Sequence, residues 1–235
     1  MFVTSQQKAY TKIKSMILEG EFSSGERIPE TKVAKLIGMK RGPVRESLIK
    51  LESDGLLVSE PHFGFATKTY TLQETQELYE LREVVEGGAA YLAAKNANNT
   101  DIDRLIEAHE VFKAKIDTND ELRKNGKELS PDQYSNSLQD EAFHRAILKA
   151  SKNSRFSNVF RNISDEHICL TLHFEGKQFY KGLYDYESYE HHDIILKAII
   201  ERNSAKAEAE VRCHVRRARE GILKLFDNKE GFYFA

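Results

Sequence analysis

The chain has 235 residues, of which 40% are hydrophobic and 31% are charged, and its formal net charge is −2. This composition is typical of a globular protein of one or two domains and excludes an intrinsically disordered or a membrane protein. No apolar run approaches the roughly 20 residues of a membrane-spanning helix, and the first residues lack a secretory signal, so we expect a cytoplasmic protein with no membrane partner.

The charge is distributed unevenly along the chain. Residues 1–70 contain 11 Lys or Arg and 8 Asp or Glu, a net charge of +3. The rest contains 24 basic and 29 acidic residues, a net charge of −5. A basic excess of this size permits nucleic-acid binding by the N-terminal part without requiring it.

The first 70 residues combine helical apolar spacing with glycine and proline breaks. Gly20 ends a first predicted helix and Gly38 a second, shorter one. Pro43 opens a third helix, because proline is favoured at the first helical position. Two short β-prone runs follow, with a turn between them. The predicted elements are helices over Gln6–Glu19, Thr31–Ile37 and Pro43 to Gly55, and strands over Leu56–Ser59 and Phe65–Thr69.

From residue 71 onward the pattern is entirely helical. Thr71 and Glu74 have the spacing of a capping box, which predicts the start of a long helix. Within that helix Gly87 and Gly88 reduce helix stability, and we expect them to allow close packing against a neighbour. One face of the helix is predicted to carry the apolar residues Leu78, Leu81, Val85, Ala89 and Leu92.

The remaining pattern predicts helices and no strands. They are expected over residues 100–123, 131–150, 154–175, 188–202 and 203–227. The predicted fold class is therefore mainly α. Its predicted parts are a winged helix-turn-helix over 1–70, an all-α helical bundle over 71–229, and a tail over 230–235.

Three helices followed by two strands form the pattern of a winged helix-turn-helix, whose recognition helix lies in the major groove of DNA. The N-terminal tip of that helix contains Arg41 and Arg45, one helical turn apart, and arginine is the preferred bidentate partner of guanine. The alternative is that both are ordinary solvated charges. Further candidate contacts are Lys40 and Lys50, which suit phosphates, and His62 and Gly64 at the tip of the wing.

A second candidate site lies in the helical part. Asp140 and His144 are four residues apart on a predicted helix and therefore share one face. His192 and His214 lie on two later helices that an antiparallel arrangement would bring together. One carboxylate and three imidazoles suit Zn, Ni, Mn or Fe, and inward-facing ligands from several helices are a known kind of bundle site. The alternative is a surface Asp–His pair among unrelated histidines.

The N-terminal motifs resemble those of GntR-family transcription regulators. The resemblance covers about 60 residues and implies that Arg41 and Arg45 are the principal DNA contacts. Gly42, between them, departs from the family, which usually has Thr or Ser there to cap the helix and contact phosphate. The matching segments are Ile17–Gly20, Gly25–Ile28, Leu36–Gly38, Arg41–Leu48 and Leu51–Leu56.

The helical part resembles the FCD ligand-binding domain of the FadR subgroup, from about residue 72 to 225. Members that bind metal hold a divalent ion with one Asp and three His, and the matching residues are Asp140, His144, His192 and His214. The resemblance also implies that a small carboxylate effector completes the coordination. It implies Arg82 as a partner for the ligand carboxylate, while a structural salt bridge is the alternative for that residue.

Together these features predict a transcription regulator and not an enzyme. We expect a homodimer that binds double-stranded operator DNA, with an affinity set by a small organic acid bound at the metal site. Two alternatives remain at this point. One is a metal-dependent hydrolase or oxygenase on the helical bundle, and the other is an architectural DNA-binding dimer without a ligand.

Overall fold

The N-terminal residues form three helices and a small antiparallel sheet. The computed structural model describes residues 3–61, 63–127, 136–175 and 183–227. The three strands lie in the order β1-β3-β2, and both pairings are antiparallel. The elements are α1 (Ser5–Leu18), β1 (Arg27–Ile28), α2 (Glu30–Ile37), α3 (Arg41–Ser53), β2 (Leu57–Glu60) and β3 (Gly64–Thr67).

Local chemistry accounts for most of these boundaries. Gly38 ends α2 with a φ of 68°, a left-handed conformation that costs glycine little. Helix α3 begins at Arg41 rather than at Pro43, and the proline still lies in the first turn, where amide groups have no helical partner. Strand β1 was not predicted, because its two residues are too few for a strand pattern, and Ile28 pairs with Phe65 of β3.

A single apolar core joins α1, α2, α3 and the sheet. The side chains of Ile13, Val33, Leu48 and Phe65 are among its buried members, one from each of these elements. Burying such side chains contributes about 1.5–3 kcal/mol each. The core therefore fixes α2 against α3, and this places the N-terminal ends of the two helices relative to each other.

Six long helices make up the described part of the chain after residue 71. Thr71 and Glu74 form the predicted capping box, with each side chain accepting from the other residue's amide. The fold is mainly α, as predicted. The helices are α4 (Leu72–Asn96), α5 (Asn99–Lys124), α6 (Ser137–Ala150), α7 (Ser154–Glu175), α8 (Leu183–Ile200) and α9 (Ser204–Asp227).

The two glycines inside α4 lie at close approaches, as expected. A Cβ atom at Gly87 would be 2.8 Å from the Cγ atom of Arg212, and one at Gly88 would be 3.3 Å from the ring of Phe156. The predicted apolar face of α4 is narrower than expected. Leu78 is buried, but the side chain of Leu81 is 47% exposed and faces away from the core.

The chain divides into two compact units. The first comprises residues 1–70 together with 165–173, and the second comprises 71–164 together with 174–235. The grouping of 165–173, a segment of α7, with the first unit has no signal in the sequence. Among the helices that the structure describes, none is long and apolar enough to span a bilayer.

Candidate DNA-reading helix and candidate metal centre

The N-terminal tip of α3 displays its charges to solvent. The side chains of Arg41 and Arg45 are 65% and 64% exposed, and Lys40 and Gly42 are exposed beside them. Val44 and Leu48 on the opposite face are buried in the core. The tip therefore presents a basic surface on a rigid helix, as a recognition helix requires.

A buried serine anchors this helix to α1. The hydroxyl of Ser47 lies 2.7 Å from the carbonyl oxygen of Pro43 and 2.9 Å from that of Gln6, and it is placed to donate to either. Ser47 is fully buried, so its hydroxyl needs such a partner. The polar link and the apolar contacts together hold the direction of α3.

Glu30 contacts both arginines of the tip. The Nε atom of Arg41 donates a 2.7 Å hydrogen bond to Glu30 Oε2, and the Nε atom of Arg45 lies 3.7 Å from Oε1. The sequence pattern did not single out this residue. The available signal was an acidic side chain in the first turn of α2, where the helix dipole favours it.

Lys50 lies at the far end of α3 and packs on an aromatic ring. Its Nζ atom is 4.5 Å from the centroid of Tyr10, whose hydroxyl donates to Asp54 Oδ2 at 2.6 Å. An ammonium over a ring face is attracted by the ring quadrupole. Lys50 is exposed, so this contact orders its stem while the charge stays in solvent.

The wing contains one predicted contact that the structure describes. Gly64 opens β3 with a φ of 85°, is exposed, and has open space around its Cα. His62 lies outside the described residues. Phe63, which the sequence pattern did not single out, is 42% exposed. The guanidinium of Arg27 lies 5.0 Å from the centroid of its ring.

The four predicted metal ligands converge in the second unit. Asp140 and His144 lie on α6, His192 on α8 and His214 on α9. One donor atom from each lies within 4.8 Å of all the others. The Nε2 atoms of His192 and His144 are 3.4 Å and 3.8 Å from the carboxylate oxygens of Asp140. The helical spacing of Asp140 and His144 was therefore a correct guide to a shared direction.

Burial keeps two of these imidazoles neutral. It lowers the pKa of His192 and of His214 well below the ordinary value, and the neighbouring histidines lower both further. A neutral ring carries a lone pair, which is the form that binds a metal ion. Phe143 stacks on His192 with a centroid distance of 4.2 Å, and both side chains are fully buried.

Glu86, on α4, contacts the third imidazole from behind. Its Oε2 atom is 2.5 Å from Nδ1 of His144, and both side chains are buried. A proton must lie between two such atoms, because two lone pairs would repel, so in the neutral form of the ring Nε2 keeps the lone pair that faces the other ligands. Burial alone would lower the pKa of His144, but the charge and hydrogen bond of Glu86 leave it raised.

Arg82 balances this buried carboxylate. Its Nε atom is 2.6 Å from Glu86 Oε1, and its Nη2 atom is 3.7 Å from Glu141 Oε2. Burial raises the pKa of Glu86, but the charge of Arg82, followed by that of His144, lowers it to about 2. The side chain of Arg82 is 2% exposed, so the salt-bridge alternative describes its present contacts.

The donor set fits a divalent metal ion. The Nε2 atoms of His144 and His192 are buried and have no hydrogen-bond partner among the described residues, and such orphaned atoms are costly unless something binds them. Nitrogen and oxygen ligands lie about 2.0–2.2 Å from such an ion. Donor atoms that lie within 4.8 Å of one another are near the spacing that these bond lengths set.

Two regions of the chain match known families. Residues 5–66 match the gntR family of bacterial regulatory proteins, and residues 77–217 match the FCD domain. The chain belongs to the GntR family of transcription regulators. This GntR protein is thus a DNA-binding transcription regulator that carries an FCD domain, and the resemblance stated from its motifs is confirmed.

Relatives across most of the chain are also regulators. An HTH-type transcriptional regulator of Bacillus subtilis, YdhC, is 29% identical over 71% of this chain and 70% of its own length. The Nta operon transcriptional regulator of Aminobacter aminovorans is 25% identical over 89% of this chain and 90% of its own. The prediction that the GntR protein is not an enzyme is confirmed by these relatives.

Solved structures share the fold at low sequence identity. The Escherichia coli protein McbR/YncC matches with a TM-score of 0.76 and 19% identity, over 96% of this chain and 100% of its own. A GntR regulator of Rhodococcus sp. RHA1 matches with a TM-score of 0.72 and 21% identity, over 93% and 97%. These matches support the combination of a winged helix-turn-helix with an all-helical domain.

Proposed function

We propose that this regulator changes its affinity for operator DNA when a small organic acid binds beside a divalent ion in the FCD domain. The observation that carries the proposal is the convergence of four donor atoms on one place among buried helices. The ion would be held by Asp140, His144, His192 and His214. Such a donor set suits Zn, Ni, Mn or Fe.

An effector carboxylate would have two partners at this site, the ion and Arg82. A bound divalent ion supplies positive charge and further coordination positions, which suit a carboxylate oxygen. Arg82 stays a candidate partner of that carboxylate. Its guanidinium already engages Glu86 and Glu141, so an effector would join this network or replace the longer contact to Glu141. The apolar ring of Phe143 is stacked on His192 and gives the site one apolar wall.

Coupling to DNA follows from thermodynamic linkage. An effector changes operator affinity only to the extent that it binds the DNA-competent and DNA-incompetent states with different affinities. By reciprocity, operator DNA changes the affinity for the effector by the same factor. The proposal therefore predicts a measurable effect in both directions, and it does not depend on whether the effector releases or strengthens DNA binding.

The tip of α3 and the wing would contact the operator. Arg41 and Arg45 are assigned to base edges, since their exposed guanidinium groups suit guanine. Lys40 and Lys50 are assigned to phosphates, which position the protein on the DNA. Gly42 lies beside the arginines at the helix tip, and His62 and Gly64 in the wing would approach the minor groove or the backbone. We accordingly place the protein in the cytoplasm, where operator DNA is found.

A homodimer is the proposed assembly, since two copies match the symmetry of a pseudo-palindromic operator. An exposed apolar patch in the second unit supports it. Leu81, Val84 and Tyr91 of α4 are 47%, 59% and 41% exposed, and Val159 of α7 is 53% exposed. Leu81, Val84 and Tyr91 follow one another at spacings of three and seven residues and so share one face of α4, and an exposed apolar face of this kind marks protein interfaces. The mass measured by light scattering checks this, and Val84→Glu is expected to yield monomers.

The experiment that tests the function combines metal analysis with DNA binding. Purified protein is expected to contain about one divalent ion per chain by elemental analysis, and a chelator should remove it. A duplex selected from a random pool then serves as operator. Succinate, citrate and malate are titrated against this complex with and without metal. A protein that binds the duplex but takes up no ion and responds to none of the acids would leave only the architectural alternative.

A further inference from the structure

Glu30 stands between the two arginines assigned to base reading, and we propose that it is a positioning residue for DNA recognition. Its carboxylate binds Arg41 through one oxygen and approaches Arg45 through the other. In this arrangement Glu30 does not contact DNA. It holds two flexible side chains in the orientation that reads bases, before DNA arrives. The inference rests on DNA binding and is independent of the proposed metal site.

The position of Glu30 is fixed by the fold. It is the first residue of α2, and its side chain is 16% exposed. Val33 and Ala34 of the same helix are buried in the core that also contains Val44 of α3. The carboxylate is therefore carried on a helix packed against the reading helix, unlike the partners of an ordinary surface pair, which sit on flexible chains.

The atoms involved leave the reading edge of each guanidinium available. The closest contacts of Glu30 use Nε, the inner nitrogen of Arg41 and of Arg45. A guanidinium held at Nε is engaged on its side edge, and the end edge between its two terminal amino groups stays available. Those groups form the pair that donates to O6 and N7 of guanine. Glu30 thus engages the side of each arginine that a guanine contact does not need.

The electrostatics of the tip also call for an acidic partner. Two like charges four residues apart on a helix repel each other, and positive charge at a helix N-terminus opposes the helix dipole. Glu30 compensates both effects in the free protein. Its carboxylate also repels DNA phosphates. It should therefore weaken binding to unrelated DNA while it favours the duplex that both arginines fit.

This role has a signature that a direct DNA contact does not share. Loss of a phosphate contact weakens binding to every duplex alike. Loss of Glu30 removes a negative charge from a DNA-binding surface, which strengthens sequence-independent binding. It also releases the two arginines, which weakens the sequence-specific part. Specific and non-specific affinities should therefore move in opposite directions.

The test uses the full chain with a duplex selected from a random pool by the wild-type protein, and a scrambled duplex of the same composition. Glu30→Gln removes the charge and keeps the shape, and Glu30→Ala removes both. Glu46→Gln is the matched control. Glu46 is an exposed residue of α3, and it pairs with neither arginine within the described structure.

We expect both Glu30 variants to lower the affinity for the selected duplex by about tenfold, the range of one lost base contact. Affinity for the scrambled duplex should rise, and Glu46→Gln should leave the ratio of the two affinities unchanged. Thermal unfolding shows whether each variant is folded. If Glu30→Ala does not fold, Glu30→Gln decides alone.

A second measurement distinguishes positioning from general electrostatics. Sites selected anew by Glu30→Gln should lose sequence preference at the same base positions that Arg41→Ala and Arg45→Ala lose. An unchanged ratio of specific to scrambled affinity in Glu30→Gln would overturn the proposal. An equal loss of binding to both duplexes would also overturn it, because that result would identify Glu30 as part of a general contact surface.

Discussion

The two candidate sites of this regulator differ in the exposure of their charged side chains. The side chains of Arg41 and Arg45 are about two-thirds exposed, and both contact the carboxylate of Glu30. In the second unit, Arg82, Glu86 and His144 are buried and neutralise one another. An exposed charge contributes little to folding and remains available for a partner. A buried one must be matched, because an unpaired charge inside a protein is costly.

The two kinds of site should therefore respond differently to substitution. At the DNA-reading tip, single substitutions should change binding and leave stability nearly unchanged. At the metal centre, the same kind of substitution should affect stability and metal affinity together. In both places a glutamate from a neighbouring helix, Glu30 or Glu86, holds the nitrogen-bearing side chains that are assigned the binding task.

The largest effect is expected from Glu86→Ala, which leaves the Arg82 guanidinium buried without its closest partner. Breaking a buried pair in this way costs about 3–5 kcal/mol in the free energy of unfolding. Urea denaturation followed by circular dichroism measures it. The control is Glu83→Ala, whose partners Arg216 and Arg212 are 51% and 28% exposed, and its cost should stay within about 1 kcal/mol. Equal costs for the two variants would contradict the contrast between buried and exposed charge.

Metal affinity provides the next test. His192→Ala removes a proposed ligand and should abolish uptake of Zn or Ni in isothermal titration. Glu86→Gln keeps all four ligands but loses the charge behind His144, and we expect a weakening of about 10–100-fold. His109 is the matched control, since it is a buried imidazole whose centroid lies 6.4 Å from that of His192 but is outside the ligand set. His109→Asn should retain metal binding. If this variant loses metal binding, the assigned ligand set is wrong.

At the reading tip the expected effects are smaller and concern DNA. Arg45→Ala should weaken binding to the selected duplex by about 1–3 kcal/mol and relax the preference at one base position. Lys50→Ala should weaken binding to all duplexes alike and reduce the slope of affinity against salt by about 1. Fluorescence anisotropy at several salt concentrations measures both. Identical behaviour of the two variants would show that Arg45 contacts phosphate and reads no base.

The sequence was sufficient where a residue's role depends on its own segment. Gly38 ends α2 because of its backbone conformation, and Thr71 caps α4 with a residue three positions away. Asp140 and His144 share a face because helical periodicity places them there. These features are local, so that spacing and residue type predict them. Strand β1 was not predicted, because two residues show no periodicity. It is defined by its hydrogen-bonded pairing with β3.

The sequence was not sufficient where a role depends on packing between helices. Glu30 and Glu86 each act on side chains of another helix, and acidic residues are too common for their partners to be read from spacing. Leu81 was predicted on the buried face of α4, yet it lies on the exposed side. Which face of a long helix is covered depends on the neighbouring helices. The pairing of Arg82 with Glu86 differs from these contacts, because both residues lie on α4, one turn apart, and their spacing gives a local signal.

The smallest expected effect concerns Gly42, where this chain departs from the hydroxyl-bearing residue usual in its family. A Cβ atom added there would meet nothing within 4 Å, so a larger side chain fits the free protein. Gly42→Thr should gain a hydrogen bond to a DNA phosphate and strengthen binding to every duplex by about 0.5–1.5 kcal/mol. The measurement is anisotropy with selected and scrambled duplexes.

Gly42→Ala separates the two contributions of that threonine. Both substitutions replace glycine in a helix and should stabilise α3 by up to about 1 kcal/mol in thermal unfolding. Only the threonine adds a hydroxyl near the phosphates. If alanine strengthens DNA binding as much as threonine does, the gain comes from stiffening the helix tip. In that case order at the tip, which Glu30 would also provide, limits recognition more than the number of phosphate contacts does.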